Sequence, residues 1–245
     1  MPAAPHLLLI NPNTSAHVTA LLARHALALA PPGAVLTAVT APFGEPYIAS
    51  EAAAAIADQA VPAAWAAHHA VNQTPASTVA AADVAGSANR APHAVLIACF
   101  GDPGVAALRA LTPVPVLGLA EVAMRTAQAH GRYAIVTGGA AWGPMLQRLA
   151  TLLGLDALLA GVVTVERTGA ELLADPVAAQ ALLLDACHQA LALGGVQSIV
   201  IGGAALADLA APLALQLPVP LIDNVRVGLQ AAWEAAVRGA ANAPA

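Results

Sequence analysis

The sequence contains no lysine. All nine of its basic residues are arginine, in a chain of 245 residues with a formal net charge of −5. Without lysine the chain cannot form a Schiff base with pyridoxal phosphate or with a carbonyl substrate. It also cannot complete a Walker A phosphate loop, which needs a lysine before its serine or threonine. Lysine-dependent pyridoxal phosphate enzymes and P-loop nucleotidases are therefore excluded.

Charged residues, aromatic residues and cysteines are also scarce. Charged residues make up 9% of the chain and aromatic residues 3%, and the scattered arginines do not form the basic stripe that nucleic-acid binding needs. No apolar run reaches the ~18 residues of a membrane-spanning helix, and the two cysteines make no disulfide framework. We therefore expect a cytoplasmic globular protein that binds neither nucleic acid nor membranes. Its charge-poor, apolar surface favours a homo-oligomer.

Short β-rich runs alternate with longer stretches rich in alanine and leucine, which is typical of an α/β protein with parallel sheets. The predicted helices span residues 16–29, 51–69, 143–153 and 176–193. The polar segment 72–90 is predicted to be a loop or lid. The predicted strands are residues 7–10, 35–39, 95–99, 114–118, 134–137, 161–165, 199–202 and 219–223.

Two landmarks recur in the same order in each half of the chain, which indicates an internal repeat. Residues 94–99 resemble residues 198–203 in apolar pattern, and each segment is followed by a second similar strand. Likewise, residues 6–11 lead into a turn and then a helix, as residues 133–137 do. Any α/β protein repeats strand, turn and helix, but the matched order of both landmarks favours duplication.

The repeat predicts two pseudo-symmetric α/β lobes, each a short, mostly parallel sheet flanked by helices. We assign residues 1–114 and 225–245 to the first lobe and residues 115–224 to the second. Equivalent strand ends then face one another across a cleft between the lobes, where we expect the active site.

The turn Asn11-Pro-Asn-Thr-Ser15 follows the first strand and opens a helix. Asn13, Thr14 or Ser15 can cap that helix, which leaves backbone N–H groups pointing towards the end of the strand. Such groups suit a carboxylate or another oxygen anion, although an ordinary helix cap explains the same residues. The pair Gly138-Gly139 follows a strand in the second half and is a weaker candidate for the same role.

Cys99 ends a buried strand and precedes the turn Phe100-Gly-Asp-Pro-Gly104, in which Asp102 is the predicted cap of a helix. Because a helix N-terminus stabilises a nearby thiolate, we expect Cys99 to act as a base or a nucleophile. Cys187 lies inside an amphipathic helix and is predicted to pack in the core. No group of cysteines and histidines has the spacing of a metal site, and we expect neither metal nor cofactor.

Four motifs together resemble the aspartate/glutamate/hydantoin racemase superfamily, in its hydantoin racemase-like branch. They are residues 9–15, residues 97–104, Thr137 and residues 142–146. The resemblance extends from residue 7 to about residue 230. It implies two pseudo-symmetric α/β lobes, a small-molecule substrate and chemistry without a cofactor.

The resemblance also implies a mechanism in which two cysteines face opposite sides of the substrate α-carbon. One removes the α-proton, the other returns a proton, and N–H groups stabilise the enolate-like intermediate. Cys99 matches the first cysteine, whereas Gly203 stands where family members carry the second. The predicted substrate-binding residues are Asn11, Ser15, Phe100, Thr137, Gly138 and Gly203.

The sequence leaves three functions open. The first is a racemase or epimerase of a hydantoin- or amino-acid-like molecule, with Asp102, Asp208, Asp223 or water in place of the second thiol. The second is a single-cysteine decarboxylase or isomerase of a small carboxylic acid. The third is a non-catalytic protein that binds a small molecule. We expect the first, with Cys99 as the acid and base.

Overall fold

The computed structural model describes residues 3–73 and 91–242. Their elements alternate between strands and helices along the chain, as the sequence predicts. The first half contains β1 (His6–Asn11), α1 (Ala16–Ala28), β2 (Val35–Thr40), α2 (Glu51–Gln73), β3 (Ala94–Ile97), α3 (Val105–Leu111), β4 (Val116–Gly118) and α4 (Leu119–Gln128). The second half contains β5 (Tyr133–Gly138), α5 (Trp142–Leu152), β6 (Leu159–Val165), α6 (Gly169–Ala174), α7 (Pro176–Leu191), β7 (Ser198–Gly202), α8 (Ala210–Ala214), β8 (Leu221–Asp223) and α9 (Asn224–Ala241).

The strands form two four-stranded parallel sheets with the same topology. One has the order β2-β1-β3-β4 and the other the order β6-β5-β7-β8. The central strands are buried along their whole length, as expected for continuous apolar runs covered by helices on both faces. The predicted α/β fold of two similar lobes is therefore confirmed.

Helices α4 and α9 each follow the last strand of one sheet and pack on the other. α9 contacts β1, β3 and β4 of the first sheet, and α4 contacts β7 and β8 of the second. The two helices also pack against each other, closely enough that a Cβ at Gly228 would lie 2.4 Å from Leu119 Cδ2. The indole of Trp233 donates to the carbonyl of Ala26 at 2.9 Å, which fixes α9 to the first lobe.

The lobe boundary after residue 114 stays a prediction. Strand β4, which follows that boundary, pairs with β3 and so extends the first sheet. The predicted loop 72–90 begins too early, because α2 continues to Gln73. The rest of that segment lies outside the described residues.

Candidate active site

A small cavity lies where the ends of both sheets meet. Its walls come from the turns that follow β1, β3, β5 and β7, together with the loop between β2 and α2. The centres of water molecules can occupy about 40 Å³ of it. This is the carboxyl edge of parallel strands, where α/β proteins generally bind their ligands.

Among the described residues, none of the side chains that line this cavity carries a formal charge. The lining residues are Asn13, Val18, Tyr47, Ile48, Ala98, Cys99, Phe100, Thr137, Gly138, Trp142, Gly169, Gly202, Gly203, Ala204, Ala205 and Leu206. The predicted residues Cys99, Phe100, Thr137, Gly138 and Gly203 are therefore brought together, whereas Asn11 and Ser15 are not among them.

Cys99 sits in a tight turn two residues beyond the end of β3. Its carbonyl accepts the N–H groups of Gly101 at 3.0 Å and Asp102 at 3.2 Å, and its side chain is buried, with 8% exposed. Among the described residues no acceptor is found for the backbone N–H groups of Cys99 and Phe100. These groups are available to an oxygen atom of a ligand.

Burial raises the pKa of the Cys99 thiol to about 12, and the nearby negative charge of Asp102 adds to the effect. The sequence predicts the start of a helix directly beside this thiol, and the structure does not place one there. Helix α3 begins only at Val105, and the N–H of Gly104 at its start already binds the carboxylate of Asp58 at 2.6 Å.

Asp102 caps a different helix from the one predicted. Its carboxylate oxygens accept the N–H groups of Ala120 at 2.8 Å and Glu121 at 2.7 Å, in the first turn of α4. Gly118 permits this approach, because a Cβ there would lie 2.2 Å from Asp102 Cγ. Burial raises the pKa of Asp102 to about 7. The side chain does not line the cavity, so it is not placed to replace a second thiol.

In the turn after β1, Asn11 holds the backbone in place and Asn13 lines the cavity. Asn11 is fully buried, and its Nδ2 lies 2.8 Å from Asn13 Oδ1 and 3.0 Å from Thr19 Oγ1. Ser15 caps α1 by accepting the N–H of Val18 at 3.3 Å. Asn11 and Ser15, which the sequence predicts as substrate contacts, therefore shape the turn, and neither is among the residues that line the cavity.

Asn13 is a cavity residue that sequence reasoning named only as a possible helix cap. Its Oδ1 accepts from Asn11 Nδ2 and from the N–H of Ser15 at 2.9 Å. These two bonds fix which end of the amide is oxygen, so the NH2 group of Asn13 is left to donate to a ligand. The repeated asparagines in the turn were the only signal, and the sequence does not say which one faces the cleft.

The turn after β5 contributes a hydroxyl and close packing. Thr137 is buried and lines the cavity, and no hydrogen-bond partner for its hydroxyl is found among the described residues. Gly138 packs so tightly that a Cβ would lie 2.7 Å from the carbonyl oxygen of Arg167. The N–H of Gly139 is already bonded to the carbonyl of Val165 at 2.8 Å, so Gly139 does not offer that group to an anion.

Gly202 is the last residue of β7 and Gly203 follows it, at positions equivalent to residues 98 and 99 after β3. A Cβ at Gly202 would lie 2.1 Å from the ring of Phe100, so the missing side chain lets that ring cross from one lobe to the other. Gly203 has φ +131°, a conformation that side-chain-bearing residues rarely adopt. By chain topology Gly203 is the counterpart of Cys99, and it brings no side chain to the cavity.

Tyr47 is a cavity residue that the sequence did not predict. It lies between β2 and α2 in the first lobe, and its phenol oxygen accepts the N–H of Gly169 in the second lobe at 2.8 Å. The Trp142 side chain lines the same cavity. A tyrosine in a Gly-Glu-Pro-Tyr turn is a weak signal, although the chain has only two tyrosines.

The remaining candidates lie away from the cavity. Asp208 pairs with Arg24 and His25 of α1 at the surface, at 2.9 and 3.0 Å. Asp223 caps α9 through two N–H groups, and Cys187 is buried in the second-lobe core. Within the described ranges no three metal-ligating side chains form a metal site, and no helix there is both long and apolar enough to span a membrane.

Sequence and structure comparisons agree on the relatives of this chain. Residues 7–232 match the family described as Asp/Glu/Hydantoin racemase. The hydantoin racemase of Paenarthrobacter aurescens is 28% identical over 227 residues, which cover 92% of this chain and 89% of that protein. The allantoin racemase of Pseudomonas fluorescens has a TM-score of 0.81 at 27% identity, covering 95% of this chain and 91% of the other.

A second solved structure gives the same result. The allantoin racemase of Klebsiella pneumoniae has a TM-score of 0.79 at 30% identity, covering 96% of this chain and 88% of that one. The family match spans nearly the whole chain, and the topology of both lobes agrees with it. The chain therefore belongs to the Asp/Glu/hydantoin racemase family.

Proposed function

We propose that the protein is a cofactor-independent enzyme that moves a proton at the α-carbon of a compact, uncharged, hydantoin-like molecule, with Cys99 as the acid and base. The observation that carries the proposal is a single buried thiol in an interlobe cavity whose lining side chains have no charge. Similarity to hydantoin and allantoin racemases supports the same reaction class.

The uncharged lining favours a cyclic, neutral substrate over an amino acid. A buried ammonium or carboxylate needs a paired charge or several strong hydrogen bonds, and no arginine, histidine or acidic side chain of residues 3–73 and 91–242 lines the cavity. A hydantoin ring instead presents carbonyl and N–H groups. The NH2 group of Asn13, the hydroxyl of Thr137 and free backbone N–H groups are complementary to such oxygens.

The proton transfer follows from the state of the thiol. The thiolate of Cys99 takes the α-proton, and the resulting enolate oxygen is stabilised by N–H and O–H donors. Because the pKa of Cys99 is raised to about 12, only roughly one molecule in 10,000 carries the thiolate at pH 8. We expect the exchange rate to rise about tenfold per pH unit between pH 7 and pH 10.

A second candidate is protonation of a carbanion by one thiol, as in a decarboxylase or an isomerase of a small carboxylic acid. Two features favour it: the raised pKa of Cys99 favours the protonated thiol, and the counterpart Gly203 has no side chain. A dianionic substrate such as a malonate is disfavoured, because no cationic side chain of the described residues lines the cavity.

One experiment separates these functions. The protein is incubated in D2O with 5-substituted hydantoins, amino acids and substituted malonates, and NMR follows the α-proton and the release of CO2. Deuterium entering a hydantoin, lost in Cys99→Ala but kept in the control Cys187→Ala, supports the proposal. CO2 release from a malonate supports the second candidate, and binding without either reaction indicates a non-catalytic protein.

A further inference from the structure

Tyr47 connects the two lobes at the wall of the cavity. Its ring comes from the first lobe, and its oxygen accepts the N–H of Gly169 in the second lobe at 2.8 Å. The fit is close, because a Cβ at Gly169 would lie 3.1 Å from Tyr47 Cε2 and 3.2 Å from the phenol oxygen. The phenol is therefore held in one place and lies beside the second lobe, whereas Cys99 belongs to the first.

No group in the described part of the chain accepts the hydrogen of the Tyr47 hydroxyl. The phenol oxygen accepts the N–H of Gly169, and that bond does not use the hydroxyl hydrogen. Because Tyr47 lines the cavity, that hydrogen is available to a ligand there.

The phenol is also in the right protonation state to donate. Burial raises the pKa of Tyr47, and a negative charge on Cys99 would raise it further. The hydroxyl therefore stays protonated while a thiolate forms nearby. A neutral donor held by a backbone N–H group in an apolar cavity is an arrangement that stabilises a developing oxyanion.

We propose that the Tyr47 hydroxyl donates a hydrogen bond to an oxygen of the bound substrate and stabilises the charge that this oxygen gains when Cys99 removes the α-proton. The inference rests on the proposed function and adds a substrate-contacting residue to it. Tyr47 binds through an uncharged O–H group, which agrees with a substrate that carries carbonyl oxygens.

The test compares Tyr47→Phe with Tyr133→Phe. Tyr133 is a matched control, because its hydroxyl donates to the carbonyl of Leu155 at 2.8 Å in the core, away from the cavity. Deuterium exchange into a 5-substituted hydantoin gives kcat and KM. Calorimetric titration with 5,5-dimethylhydantoin, which has no α-proton, gives affinity without turnover. Thermal unfolding monitors the fold of each variant.

We expect Tyr47→Phe to lower kcat by roughly 100-fold or more and to weaken 5,5-dimethylhydantoin binding by roughly three- to tenfold. Tyr133→Phe should change neither quantity, even if both variants melt at a lower temperature. If Tyr47→Phe does not fold, Gly169→Ala displaces the phenol without removing its hydroxyl, and it should lower kcat in the same direction.

The outcomes distinguish this inference from the proposed function. If the wild type exchanges deuterium and Cys99→Ala does not, but Tyr47→Phe keeps kcat and affinity within twofold, the role of Tyr47 is overturned and the proposed function stands. If Tyr47→Phe and Tyr133→Phe lose activity equally, the effect is structural and the inference is overturned. If the wild type neither binds nor exchanges a hydantoin, the proposed function itself fails.

Discussion

The substitution Gly203→Cys tests the geometry of the cleft directly. Cys99 and Gly203 follow equivalent central strands of the two sheets, β3 and β7, and both line the same cavity. With a thiol on one side only, a proton is removed from and returned to the same face of the substrate more often than not. We therefore expect deuterium to enter the α-position of a single-enantiomer hydantoin faster than the configuration inverts.

The structure indicates how much folding stability the substitution Gly203→Cys would lose. Gly203 has φ +131°, so any side chain there is strained, by about 1–3 kcal/mol. The new Cβ would also lie 3.3 Å from the Leu206 side chain, which must shift by a few tenths of an ångström. For a chain of this size the strain corresponds to a fall in Tm of about 2–12 °C. Gly203→Ala carries the same strain without the thiol and is the matched control.

The assay follows deuterium by NMR and configuration by circular dichroism in the same D2O sample. In the wild type and in Gly203→Ala we expect the ratio of exchange to inversion to be well above one. In Gly203→Cys the ratio should fall towards one, because a second thiol can protonate the opposite face. A wild-type ratio of one would refute the reasoning, since the opposite face would then be protonated efficiently without a thiol.

Two further predictions follow from the raised pKa values. Because burial raises the pKa of Cys99 to about 12, its alkylation by iodoacetamide in the Cys187→Ser background should be slow at pH 8 and should quicken up to pH 10. A rate that levels off near pH 8, measured by mass spectrometry, would contradict a neutral buried thiol. Asp102 has a folded-state pKa of about 7, above its unfolded value, so its contribution to stability is present at low pH and is lost as pH rises through 7. In urea unfolding the wild type should therefore lose about 1 kcal/mol more stability between pH 6 and pH 8 than Asp102→Asn does; an equal change in the two proteins would count against the assignment.

Most of the fold is predictable from the sequence because the central strands are buried runs that repeat in order. The strand before Cys99 and the strand before Gly203 have the same apolar pattern, and parallel sheets place such strand ends at one edge. That is why the sequence predicts that Cys99, Phe100, Thr137 and Gly138 lie near one another.

The features of the site that the sequence does not predict depend on contacts between residues that lie far apart in the chain. Asp102 reaches α4 only because Gly118 has no side chain, so its local resemblance to a cap of α3 was misleading. Tyr47 reaches Gly169, which lies 122 residues away. The pKa of Cys99 depends mainly on burial. The local sequence predicts a helix start near Cys99, but it does not show how deeply the thiol is buried.

The most direct test of the central claim is deuterium exchange at the α-carbon of a 5-substituted hydantoin, compared between the wild type, Cys99→Ala and Cys187→Ala. The account predicts exchange by the wild type and Cys187→Ala that rises with pH, and none above the uncatalysed rate with Cys99→Ala. Exchange that persists at the wild-type rate in a folded Cys99→Ala variant would contradict it.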